Sequence, residues 1–373
     1  MRKRIGVVSI TPNVRDHHDV PLEKFYNSFG RNTGNYMFTQ AVYRQIDADM
    51  VHIGFSYSPE AANRELDHIL IPAANWLNSR ANWDSLADIV ERTEVPITMI
   101  GVGVQSSTTD IDKAGVSNSA VRLIKAVARK SRFISVRGNF TRDWLRHIGV
   151  HNVITTGCPS LYMRLVNCVR SQDAAGIVLQ STRYGPTESF IARNDVNRLI
   201  YGLAGKLDTH MIYQSEIEEL DYLVYGTRAQ KIELPLAQYL PVLYGLKDMD
   251  ALLDYLGRKG RVFFDLDAWA MFLRSTHGLI STRLHGSIIA LNAGVPAILV
   301  PHDSRTSELA EFARIPTLDQ SLIKGDMTTQ QLERFISHAD TDKYYETRRK
   351  NAQIYVDFLS DCGLPIMKDA LFQ

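Results

Sequence analysis

Short apolar runs alternate along this chain with longer segments whose apolar residues recur at helical spacing. In the first half, Ile5–Ile10, Met50–Ile53, His68–Ile71, Pro96–Val102, Phe133–Val136 and Asn152–Thr155 read as strands. Helices are expected between them over Thr33–Ile46, Trp83–Arg92, Ser117–Lys130 and Thr141–Ile148. The second half repeats the plan, with strands at Gly176–Gln180, His210–Tyr213, Arg261–Phe264, His277–Ser281 and Val295–Val300. Its helices fall near Glu188–Ala204 and over Ser215–Val224, Met249–Leu256, Asp267–Leu273 and Leu284–Asn292. Three more close the chain: Ser307–Ala313, Gln330–His338 and the long Asp342–Leu359. Strands this apolar, taking turns with helices, predict parallel sheets covered on both faces. Residues 225–247 mix turn and helix signals and yield no element.

A polar stretch at Val169–Ala175 separates the halves, and 373 residues suit two domains. The expectation is α/β: a Rossmann-like domain over 1–170, a second over 171–373, a cleft between them and a long C-terminal helix. Ligands of such sheets bind beyond the carboxyl ends of the strands, so residues just after a strand are the first candidates.

Charge narrows the partners. Lys plus Arg number 42 against 41 Asp plus Glu, so no global basic field points to nucleic acid and anion binding must be local. The three cysteines, Cys158, Cys168 and Cys362, are odd in number and lack metal-ligand spacing, which predicts buried thiols, a reducing compartment and no metal site. The run IGVVSI after Met1-Arg-Lys-Arg is too short for a signal-peptide core. A cytoplasmic protein is therefore expected; Arg2, Lys3 and Arg4 leave room for peripheral contact with the inner face of a membrane.

The segment THGLISTRLHGSIIALNAGVPAILVPHDSR carries the chemistry. It reads as a parallel βαβ unit, with Arg283 and His285 where the first strand ends and the helix begins. Free N–H groups and the helix dipole favour an anion there, and histidine adds a proton carrier. Arg137 repeats the geometry at the end of Phe133–Val136, and a guanidinium can grip a carboxylate or phosphate with two hydrogen bonds. A pairing of Arg137 with Asp143, or of Arg283 with a nearby carboxylate, is the plainer alternative. Gly34 and Asn35 open the first long helix, where Gly34 either lets backbone approach a ligand or simply forms a turn; Arg183 follows Gly176–Gln180 and faces the expected cleft, and Arg305 follows the last strand. Ser304 or Thr306 can cap the helix after Asp303, and Glu308 suits its first turn. Gly101-Val-Gly103 lacks the full dinucleotide fingerprint, and no P-loop, HExxH or GxSxG element occurs.

Four segments, TGNYMFTQAV, PITMIGVGVQSS, ISVRGNFTRDWLRHIGVHNVITTGCPSLYM and GLISTRLHGSIIALNAGVPAILVPHDSR, resemble the polysaccharide pyruvyl transferase family. That resemblance implies a GT-B-like architecture of two Rossmann-like domains. It also implies phosphoenolpyruvate as donor substrate, no cofactor, and a ketal formed on two hydroxyls of a polymeric or lipid-linked sugar acceptor. Arg137 and Arg283 would bind the donor's carboxylate and phosphate, with His285 as acid/base. Departures lie around the cleft: Gly138 where the family often has aspartate, Ala73-Ala74-Asn75 in place of a glycine pair, Cys158-Pro159 in place of Asp-Pro, and Arg305 in place of a lysine. A nucleotide-sugar glycosyltransferase and a non-catalytic glycan-assembly protein remain as alternatives.

Overall fold

Eleven strands build two parallel sheets in the computed structural model, which describes residues 2–12, 19–106, 108, 110–165, 171, 173–182, 195–226, 236–367 and 369. The first half supplies β1 (Arg4–Val7), β2 (Asp49–His52), β3 (His68–Pro72), β4 (Ile97–Ile100), β5 (Ile134–Val136) and β6 (Val153–Thr155). Four of them pair in the order β2-β1-β3-β4, while β5 and β6 pair with each other. The Gly101 N–H to Ser135 O bond (3.0 Å) and a parallel bridge between Val102 and Val136 attach that pair to the end of β4. The second half supplies β7 (Ile177–Gln180), β8 (His210–Tyr213), β9 (Gly260–Val262), β10 (Gly278–Ser281) and β11 (Ala297–Leu299), ordered β11-β10-β7-β8-β9. Both orders are doubly wound, and the second reverses direction between β7 and β10.

Burial explains why the runs are strands. Along β3, Leu70 belongs to one buried cluster and its neighbours Ile69 and Ile71 to another, so the period of two feeds a core on each face. The larger cluster runs from Ile5 to Leu364 and spans both sheets. The final helix, Thr341–Asp361, returns the chain to the first sheet. There the Tyr355 hydroxyl donates to Gln45 (3.0 Å) and Ile366 bridges Ile46.

The alternating plan holds, and the differences have local causes. β1 stops at Val7: Val8 N–H still bonds Leu70 O (2.9 Å), but Ser9 and Ile10 leave the sheet. The helix expected near Glu188–Ala204 is Val196–Lys206, started by the Asp195 side chain, which accepts from Asn197 N–H; residues 183–194 lie outside the described residues. Helices Leu22–Ser28 and Pro59–Glu65 were not foreseen because each is short, although Ser58 before Pro59 is a start signal. Within 225–247 the helix Leu236–Leu243 forms with Pro241 inside it, the residue that blurred the pattern.

Candidate functional site

The carboxyl ends of β7 and β10 meet at the point where the second sheet reverses, and the chain beyond β10 enters helix Leu284–Asn292. Arg283 is its N-cap residue and contributes no side-chain cap, so the first N–H groups of the helix stay open to an anion. A cavity of about 260 Å³ lies over this end, lined by Asn32, Asn35, Thr282, Arg283, His285 and Arg305 among others. The first sheet's side of the cavity adds Ala74, Asn75 and Gln105, so the cavity lies between the two halves.

One of the arginines has settled partners. Arg283 donates through Nε to Ser181 O (2.8 Å) and through Nη2 to Ser215 Oγ (2.5 Å) and to the Glu216 carboxylate. Glu216 is almost wholly buried and also accepts from the N–H groups of Gln214 and Ser215, so it is fixed before it meets the guanidinium. The plainer alternative thus holds for Arg283: it has a carboxylate partner, yet it still lines the cavity. Arg305 lies 3.6 Å from Asp303, while its buried Nε has no hydrogen-bond partner among the described residues.

Arg137 differs. It is fully buried, and Nε donates to Gly101 O (2.8 Å). Neither Nη atom has a hydrogen-bond partner among the described residues, and Asp143 pairs with Arg142 instead. Its guanidinium stands 5.9 Å over the Phe38 ring, whose centroid is 5.6 Å from that of His285. Arg137 is not part of the cavity lining; it packs with Arg305 against Gly103, where an added Cβ would lie 3.2 Å from Arg137 Cδ. The two glycines of Gly101-Val-Gly103 therefore serve this arginine. Gly101, at φ +75°, turns its carbonyl to the guanidinium, and Gly103 leaves the side chain room.

His285 receives the sum of these charges. Burial pushes its pKa well below the ordinary 6.5, and Arg137, Arg305 and Arg283 push it further, so the imidazole is neutral near pH 7. Cys158 Sγ lies 3.9 Å from its Nε2 and 3.0 Å from Ser160 Oγ. Gly34 packs close on the other side: a Cβ there would be 3.1 Å from His285 Nδ1 and 2.7 Å from Gln214 Oε1. Asn35 lines the cavity while its Nδ2 donates to Phe29 O (3.2 Å) and Gly30 O (3.3 Å), locking the preceding turn. Arg183 lies outside the described residues.

The family model described as polysaccharide pyruvyl transferase matches residues 14–304. The chain belongs to the polysaccharide pyruvyl transferase family. No curated protein matches it. Among solved structures it is similar to an uncharacterized protein of Klebsiella pneumoniae at 11% identity and TM-score 0.42, over 85% of this chain and 93% of that one. It is also similar to MnaA of S. aureus, solved with UDP, at 11% identity and TM-score 0.48, over 96% and 98%. A third is the UDP-GlcNAc 2-epimerase of Methanocaldococcus jannaschii at 8% identity and TM-score 0.43, over 95% and 99%.

In this member of the family, Gly138 has a structural reason. A Cβ there would fall 2.7 Å from Glu308 Oε2 and 2.8 Å from Glu308 Cβ, so an aspartate would drive one carboxylate into another. Glu308 instead accepts from Thr141 N–H (3.0 Å) and Thr141 Oγ1 (2.6 Å), capping helix Asn139–His147 from the opposite half of the chain. Burial raises its pKa to about 7, against the pull of Thr141 and Arg137. The first-turn role expected for Glu308 does not describe this cap. The cap of helix Ser304–Ala313 is Asp303, in a reciprocal box with Thr306. Ser304 instead accepts from Ser106 N–H (3.1 Å), joining the two halves.

The sequence reading named Asn75 only as a departure from the family pattern and missed Glu216, Gln214, Thr182, Thr282, Gln105 and His302. Six of these seven follow strand ends, the position that singled out Arg283, but polar and acidic types there also suit turns and caps. Among the described residues no cluster of His, Cys, Asp and Glu could hold a metal ion, and no helix is long and apolar enough to cross a membrane.

Proposed function

We propose that this protein transfers a pyruvyl group from phosphoenolpyruvate to two hydroxyls of a sugar in a polysaccharide or lipid-linked glycan, forming a ketal and releasing inorganic phosphate. The observation that carries this reading is the convergence of three arginines, one with both Nη atoms unpartnered, on a single neutral histidine at an uncapped helix N-terminus. A small anion with several charges and a need for proton transfer fits that combination.

Phosphoenolpyruvate brings a carboxylate and a phosphate. Arg283, held in place by Glu216, and Arg305 are the groups that open onto the cavity. Arg137 adds charge from beside it, and its Nη groups become donors once the cavity opens onto them. Burial first, and then the field of the arginines, keep His285 neutral; the bound anion offsets the second of these and so favours a proton on the imidazole as the donor arrives. That proton goes to the methylene carbon, which becomes a methyl, and the carbon bearing the phosphate oxygen takes on positive character. One sugar hydroxyl adds there and loses its proton. The C–O bond to phosphate then breaks, phosphate leaves with the electron pair, and the second hydroxyl closes the ring as its proton is lost. The arginines hold the departing phosphate.

Calorimetric titration with phosphoenolpyruvate tests the reading. Wild type is expected to bind it more tightly than uridine diphosphate, and Arg137→Met to weaken it at least tenfold while remaining folded by circular dichroism. Tighter binding of the nucleotide would overturn the reading in favour of a nucleotide-sugar transferase.

A further inference from the structure

The two ring nitrogens of His285 meet different surroundings. Nε2 faces Cys158 Sγ at 3.9 Å, and Cys158 is wholly buried and takes no part in the cavity lining. Nδ1 lies on the side of Gly34, where an added Cβ would stand 3.1 Å from it and 2.7 Å from Oε1 of Gln214, a residue of the lining. Nδ1 bonds to none of the described residues and is not sealed from solvent, so it is the nitrogen that meets the cavity.

The backbone that carries Cys158 is pinned to the helix that carries His285. Asn292 Nδ2, in the last residue of helix Leu284–Asn292, donates to Ser160 O (2.8 Å), and Gln45 Nε2 donates to Pro159 O (3.0 Å). The sulfur therefore keeps its place beside the imidazole. Cys158 Sγ also lies 3.0 Å from Ser160 Oγ, which can take the S–H proton and leave the sulfur lone pairs free to accept from Nε2–H. A thiol makes this contact without adding charge. The aspartate that the family often has at this position would favour a charged imidazole before any ligand arrived.

We infer that Cys158 is a positioning residue that accepts from Nε2–H of the neutral imidazole, leaving Nδ1 bare towards the cavity as the atom that takes up and delivers the proton. This rests on the donor reading for the delivery step and adds the atom that performs it. Nδ1 gains a proton from solvent when the anion binds. It gives that proton to the methylene carbon, where the new C–H bond takes its electron pair from the carbon–carbon double bond. Nδ1 is then bare again and can receive the proton of the attacking hydroxyl. Nε2 keeps its own proton throughout, held by the sulfur.

Nitrogen-15 NMR of the full-length protein, labelled at its histidine rings, tests this at pH 7, with His285→Gln picking out the His285 signals from those of the other histidines. Wild type is expected to show a protonated Nε2 and a bare Nδ1. Cys158→Ala should lose that preference, both nitrogens moving to intermediate positions as the two tautomers exchange. Cys158→Asp should raise the pH at which Nδ1 loses its proton, against Arg137, Arg283 and Arg305, the charged groups that face the imidazole. Added phosphoenolpyruvate should move Nδ1, and not Nε2, to the protonated position. A bare Nε2 in wild type, a Cys158→Ala spectrum with the wild-type tautomer, or a Cys158→Asp titration equal to that of wild type overturns the inference. The wild-type tautomer decides it without any variant or ligand. Phosphoenolpyruvate that left every histidine signal unmoved would count against the donor reading alone, so the two can fail independently.

Discussion

Replacing Glu308 with glutamine should change how the stability of this protein depends on pH. The Glu308 carboxyl is buried, caps Thr141 across the two halves, and has its pKa raised from 4.5 to about 7, chiefly by burial. Each pH unit between the folded and unfolded values carries ~1.4 kcal/mol, so holding the ionised group in the fold costs about 3 kcal/mol. The direction follows from proton counts. Below 4.5 both states keep the proton and there is no cost. Between 4.5 and 7 the unfolded chain releases it while the native state retains it, so stability falls as pH rises. Above 7 the whole cost is present. Glutamine does not titrate; its carbonyl can still accept from Thr141 Oγ1, but its amide nitrogen cannot accept from Thr141 N–H. Glu308→Gln should therefore be less stable than wild type near pH 4.5 and should close or reverse that gap by pH 8. Urea unfolding of both proteins at four pH values across that window measures the difference, in which every other titrating group cancels. Stability curves that run parallel from pH 4.5 to 8 would refute the reasoning.

Two further outcomes follow from the same geometry. Gly138→Asp should destabilise the fold by roughly 2 kcal/mol or more, since its Cβ and carboxylate collide with Glu308. Glu308→Ala in the same chain should recover part of that loss, and strict additivity in the double-mutant cycle would contradict the contact. Phosphoenolpyruvate binding at pH 7 should take up more protons in wild type than in His285→Ala, because burial and three arginines keep the free imidazole neutral. Calorimetry in buffers of different ionisation heat reads the uptake; equal values in both proteins would rule out His285 as the group that gains it.

The parallel sheets were legible because their strands are buried on both faces, which leaves short, almost wholly apolar runs such as Ile69–Ile71 and Ala297–Leu299. Element edges were less so. Where β1 ends depends on when Ser9 and Ile10 leave the sheet, and that is decided by the strand beside it, not by their own side chains. Leu22–Ser28 is too short to show a period and has no side-chain cap to announce it. The site was legible as far as the strand-end rule reaches: Arg283, His285 and Arg305, which it singled out, line one cavity, whereas Arg137, expected on the same cleft, is absent from that lining. What it could not supply was each residue's partner.

That gap decides the chemistry. Arg137 and Arg283 look alike in sequence, each an arginine directly after a buried strand and before a helix. Arg283 is neutralised by Glu216, a residue 67 positions away that arrives at the end of β8. Among the described residues no carboxylate bonds Arg137, and the one nearest in effect, Glu308, is committed to Thr141 and raised in pKa by its own burial. A buried charge without a partner is costly, and a fold retains one where a ligand supplies the counter-charge. By that argument the proposed donor reading leans on Arg137 more than on Arg283, whose motif is the more conspicuous. The difference rests on carboxylates that no local pattern around either arginine reveals.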